Sequence, residues 1–92
     1  MIGGNVNEFI DTATTGQELT FVYKEQKFFL QGNCENGVWT ITLDRWEPPS
    51  DDYIWVATGD SMYDCTQAFL TAKVFGGKDF WQVEKDLVWI AG

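Results

Sequence analysis

Fourteen carboxylates and two cysteines, with no histidine, are the first side chains of this 92-residue chain to weigh for acid–base, thiol or metal chemistry. Proton transfer near neutral pH falls most often to histidine, so its absence removes the commonest general acid or base. The adjacent pair Asp51 and Asp52 is the nearest approach to a carboxylate dyad. Neighbours on an extended segment point apart, however, and acids in a proline-bearing loop read as solvated. Asp60 and Asp64 stand where a helix begins, and acids there complement the helix dipole without a metal. A calcium loop would need more oxygen ligands at alternating positions around a central glycine. With no histidine and no second cysteine pair, a zinc site is excluded.

The segment VFGGKDF sets glycines before a lysine at a helix start, but it lacks the flanking glycine, the Ser or Thr after the lysine and the preceding strand of a phosphate-binding loop. It reads as a helix break. Cys34 and Cys65 have no histidine partner and form no CxxC, so they read as free thiols, the first in a loop and the second in a helix. Neither an enzyme nor a bound cofactor or metal is expected, and binding is the function class that remains.

The formal net charge of −8 is unevenly distributed. Residues 44–64 carry Asp44, Glu47, Asp51, Asp52, Asp60 and Asp64 against Arg45 alone, whereas acids and lysines balance from residue 65 onward. Such a field repels phosphate backbones, which disfavours direct nucleic-acid binding, and it suits a partner with a basic surface. The N-terminal MIGGNVNEFI has neither a positively charged start nor an apolar stretch of the kind found in targeting segments. No run approaches the ~18 apolar residues of a membrane span. A cytoplasmic protein that does not enter membranes is therefore expected.

The elements that must position these residues follow from hydrophobic period. Residues 1–92 are expected to form a single domain with one core, Met1–Gly4 being flexible. Asn5 and Glu8 have the spacing of a capping box, and Val6, Phe9, Ile10 and Ala13 follow at helical intervals, predicting a helix over Asn5–Thr14. From Glu18 to Leu43 apolar and polar residues alternate with the period of two that marks strands. Leu19, Phe21 and Tyr23 share a face with Phe28 and Leu30. A turn centred on Glu25 and Gln26 would pair Tyr23 with Phe28 and Phe21 with Leu30, through a loop longer than two residues, since these residues suit positive φ poorly. Asn36 and Gly37 punctuate the next connection, and Trp39, Ile41 and Leu43 continue the apolar face in a third strand.

Two prolines in DRWEPPSDD force a loop, and Tyr53–Ala57 follows as a fourth strand. Further helices are predicted over Ser61–Val74, closed by Gly76 and Gly77, and over Lys78–Asp86, with Val88–Ile90 as a strand or an apolar tail. The expected fold class is α+β: a four-stranded antiparallel meander packed with an N-terminal helix and two C-terminal helices, mainly on the face of Phe21, Tyr23, Trp39 and Ile41.

The opposite sheet face carries Thr20, Val22, Phe29, Val38, Thr40 and Thr42, which is less polar than a solvated antiparallel face tends to be. Either the N-terminal helix or the C-terminal tail covers Val22 and Phe29, or they form an exposed patch for a partner or a homodimer. Trp46, Tyr53 and Trp55 flank the acidic segment. Aromatic residues bordered by charge make interface anchors, so the candidate partner-binding residues are Val22, Phe29, Asp44, Trp46, Glu47, Asp51, Asp52, Tyr53 and Trp55. The leading expectation is a non-enzymatic accessory or inhibitor protein engaging a basic protein surface. The alternative is a small-ligand binder that stacks its ligand on Trp46, Tyr53 and Trp55.

TGQELTFVYKEQKFFL, Asp44 with the prolines after it, and FGGKDFWQVEKDLVWI together resemble a loose group of small acidic bacterial and phage proteins of uncharacterised function. The shared layout is a glycine, an aromatic hairpin, a Gly-Lys turn into a short helix and a Trp-containing tail, over about residues 8 to 90. These motifs are structural, and the resemblance implies no active-site residue.

Overall fold

The computed structural model describes residues 1–91. One antiparallel sheet of five strands, in the order β4-β3-β2-β1-β5, is built from β1 (Leu19–Tyr23), β2 (Gln26–Glu35), β3 (Val38–Glu47), β4 (Trp55–Gly59) and β5 (Val88–Ala91). Helices α1 (Val6–Thr14), α2 (Met62–Thr71) and α3 (Phe80–Val83), the last extended by a 3-10 turn over Glu84–Asp86, complete the α+β fold. The expected four strands become five because Val88–Ala91 pairs with β1, with Phe21 opposite Trp89. Its alternation lets Trp89 join the core side while Val88 and Ile90 face away.

The first hairpin is tighter than expected. Its turn is the pair Lys24 and Glu25, with φ of 48° and 65°, and Tyr23 pairs with Gln26, Phe21 with Phe28 and Leu19 with Leu30. Both φ values are positive, as a two-residue type I′ turn requires. The register therefore moves by two residues relative to the expected pairing, which leaves every side chain on its expected face. The same turn chemistry recurs at Asn36–Gly37, with φ of 53° and 76°. β2 reaches that turn, so Cys34 lies on a strand and is exposed rather than sitting in a loop.

Helix α1 starts at Asn5, whose Oδ1 accepts from the Asn7 and Glu8 amides at 2.8 and 3.4 Å. Ser61 caps α2 by accepting from the Asp64 amide at 3.1 Å. α2 ends at Thr71, short of Val74, because the chain turns Phe75 back into the core. Gly76 and Gly77 then form a two-residue turn of their own, across which Phe75 and Lys78 exchange backbone bonds of 3.0 and 3.2 Å. The third helix begins at Phe80 behind a reciprocal cap between Asp79 and Gln82.

All three helices lie on the face of Leu19, Phe21, Phe28, Leu30, Ile41 and Leu43. Phe9, Phe21, Phe28, Phe69, Phe75 and Phe80 are buried there, with Phe9 in edge-to-face contact with Phe21 at 5.6 Å and stacked on Phe80 at 5.5 Å. Gly32 interrupts β2 where the helices converge. A Cβ there would lie 2.6 Å from Met62 Cε and 2.8 Å from the Gly16 backbone, so only a glycine lets the helix ends approach.

The N-terminal residues bond to the chain around Glu84–Trp89. The Ile2 amide donates to Leu87 O and the Trp89 amide to Ile2 O, each at 2.8 Å, while the Met1 ammonium meets Glu84 at 2.6 Å.

Candidate functional site

Among the described residues no helix covers the sheet face away from α1, α2 and α3, and connectivity explains why. Tight turns join β1 to β2 and β2 to β3, leaving no chain to cross over. The long connection from β4 to β5 must span the sheet from one edge to the other, and it runs on the Phe21 face with α2 and α3. Neither α1 nor the C-terminal tail covers Val22 and Phe29; the tail instead widens the open face with half-buried Val88 and exposed Ile90.

On this face Phe29 stacks against Trp46, with ring centroids 4.5 Å apart and planes at 20°. Strand pairing brings them together: Phe29 sits opposite Asp44, and the register shift between Lys27 and Phe28 offsets the end of β3 so that Trp46 lies beside Phe29. Trp46 remains 45% exposed, so the pair presents an apolar surface to solvent rather than filling a core. Val22 pairs with Lys27 on one side and Val88 on the other, extending the patch.

Acids border it. Half-buried Asp44 accepts from the Arg45 amide at 2.9 Å and from Ser50 Oγ at 3.3 Å, and Arg45 Nε donates to Pro48 O at 2.8 Å, which fixes the loop after β3. Glu47 reaches Lys27 at 3.8 Å, an exposed contact of small energetic weight. Asp51 and Asp52 are exposed, and neither forms an ion pair among the described residues. Asp52 Oδ1 accepts from the Tyr53 amide at 2.8 Å.

Tyr53 lines two adjoining depressions. One, of about 340 Å³, is formed with Asp44, Ser50, Asp51 and Asp52. The other, of about 640 Å³, lies over the distal half of the open face against Gln31, Asn33, Thr40 and Thr42. These amides and hydroxyls, with the Glu35 carboxylate at one end and the Tyr53 ring at the margin, can hold a small polar molecule by hydrogen bonds and stacking. Trp55 does not join them. Strand alternation turns it to the helix side, half-buried and 6.0 Å from the Phe69 ring, so the three-aromatic surface expected of Trp46, Tyr53 and Trp55 loses a member.

Gln31 and Asn33 were not among the expected binding residues; their alternation with Phe28, Leu30 and Gly32 was the available signal. Cys65 is buried against the Trp39 carbonyl at 3.5 Å, and burial, then the Asp64 charge, push its thiol pKa up, which disfavours the reactive thiolate. Among the described residues no group of three or more His, Cys, Asp or Glu side chains is placed to hold a metal ion, and no helix is long and apolar enough to cross a membrane. No family model, curated protein or solved structure matches the chain.

Proposed function

We propose that this protein is a non-enzymatic interaction module, an accessory or inhibitor protein that engages a basic surface on another protein through its helix-free sheet face and acidic border. The observation that carries this reading is the stacked Phe29–Trp46 pair, half-buried Phe29 under a Trp46 that is 45% exposed, on a face that no helix among the described residues covers. Burying such a pair gains about 25 cal/mol for each Å² of apolar surface removed from water. Rim carboxylates at Asp44, Glu47, Asp51 and Asp52 would speed the encounter and select a partner of opposite charge. The free thiols of Cys34 and Cys65 fit a reducing, cytoplasmic setting.

Affinity capture from source cells, followed by reconstitution with the purified partner, tests it. A partner with a basic surface is expected, bound at least tenfold more weakly by Trp46→Ala and by the pair Asp51→Lys and Asp52→Lys. A reconstituted complex indifferent to both changes overturns the reading. Self-association through the same face, seen as a dimer by sedimentation, would assign the surface to a second copy instead.

The concavity beside Tyr53 favours a second reading, a binder of small polar ligands. Tyr53→Ala should then abolish a saturable fluorescence or NMR response to such ligands. A panel of sugars and nucleotides that elicits no response removes it.

A further inference from the structure

The chain closes one edge of its sheet and leaves the other open. On the outer side of β5, Ile2 receives and donates a backbone bond, and Gly3 and Gly4 lie so close to Trp89 that an added Cβ would stand 2.6 and 2.4 Å from its atoms. β4, at the opposite edge, pairs with β3 only. Among the described residues nothing else bonds to the backbone of Val56–Gly59. Alternate residues of an antiparallel edge strand turn their N–H and C=O groups outward, a ready template for another strand. Proteins usually blunt such an edge with lysine, proline or a bulge. Trp55–Gly59 has none of these: the segment is WVATG, and its ladder with β3 runs without a register shift.

We infer that the free edge of β4 takes an extended basic segment of the partner by strand addition. This rests on the proposed engagement of a basic partner and supplies its geometry: the segment becomes a sixth strand beside the five-stranded sheet. Charge selects this occupant over a second copy. Exposed Asp51 and Asp52 precede β4, and exposed Asp60 and Asp64 follow it. Two copies paired antiparallel would set Asp51 and Asp52 of each chain against Asp60 and Asp64 of the other, an arrangement like-charge repulsion opposes. A segment with lysine or arginine at both ends and β-branched residues between them meets acids at each end. Its alternate side chains lie beside Val56 and Thr58 on the helix-free face, where β-branched cross-strand neighbours pack well.

The probe is an end-capped peptide, Lys-Thr-Val-Thr-Val-Thr-Lys, titrated into the isotope-labelled full chain with NMR detection. Saturable amide shifts across Val56–Gly59 are expected, with hydrogen exchange of the outward amides slowed. N-methylation along one edge of the peptide, or glutamate in place of both lysines, should weaken binding at least tenfold. Shifts confined to Phe29 and Trp46 overturn strand addition while leaving the basic-partner reading intact. Equal binding of the glutamate-ended peptide overturns the basic occupant and the reading beneath it. No saturable shift up to about 1 mM peptide, an affinity no stronger than about −4 kcal/mol, overturns the inference. So does a β4-mediated dimer of the free chain.

Discussion

Phe29 and Trp46 stack at 4.5 Å on adjacent strands, Phe29 half-buried and Trp46 exposed, on the sheet face that no helix among the described residues covers. Stacking of this kind is worth about 0.5 to 1.5 kcal/mol beyond area burial. Phe29→Ala or Trp46→Ala should therefore cost the fold at most about 2 kcal/mol, whereas Phe9→Ala, in the buried cluster, should cost about 3 to 5 kcal/mol. Urea denaturation of the three variants checks this. A Trp46→Ala penalty as large as that of Phe9→Ala would mean that the pair belongs to the core and is not a docking surface.

Lys24 and Glu25 occupy positive φ without being glycine or asparagine, and the nearest compensation is the Lys24 ammonium lying 5.4 Å from the Tyr23 ring centre. Lys24→Asn combined with Glu25→Gly supplies the residues that a type I′ turn prefers. A gain of about 1 kcal/mol is expected, seen as a higher urea midpoint at unchanged slope. A lower midpoint would show that the lysine–tyrosine contact outweighs the backbone strain.

Thr66 on α2 is fully buried and its hydroxyl finds no hydrogen-bond partner among the described residues. A buried donor without an acceptor is a standing cost, and valine has nearly the same shape. Thr66→Val should stabilise the protein by about 1 kcal/mol, while Thr66→Ser, which keeps the hydroxyl and loses the methyl, should destabilise it. If valine lowers the melting temperature, the hydroxyl has a partner in solution.

Cys65 is held neutral by burial and by Asp64, so its thiol pKa lies above that of the unfolded chain. The unfolded state then binds fewer protons than the folded state once pH passes the unfolded value. The contribution is full below about pH 8.5 and is lost as pH rises through the folded pKa. Stability of the wild type should fall more steeply above about pH 8.5 than that of Cys65→Ala. A thiol reagent should modify exposed Cys34 rapidly and Cys65 only on unfolding. Parallel pH slopes for the two proteins would contradict the assignment.

Local pattern determined much of this protein. Alternation from Leu19 to Leu43 placed Phe21, Phe28 and Ile41 on one face and Val22 and Phe29 on the other, because a period of two survives even a two-residue error in register. Asn5 and Ser61 marked the starts of α1 and α2, because a cap is formed by a side chain and an amide only two or three residues apart. What local pattern could not supply was anything depending on which elements become neighbours. Val88–Ala91 is a strand because β1 offers it an unpaired edge, and Trp55 faces inward because the start of β4 is set by its ladder with β3. The exposure of Trp46 beside half-buried Phe29 was decided last of all. It follows from the single long crossover passing on the opposite face, a choice made by the whole sheet and encoded in no short stretch of sequence.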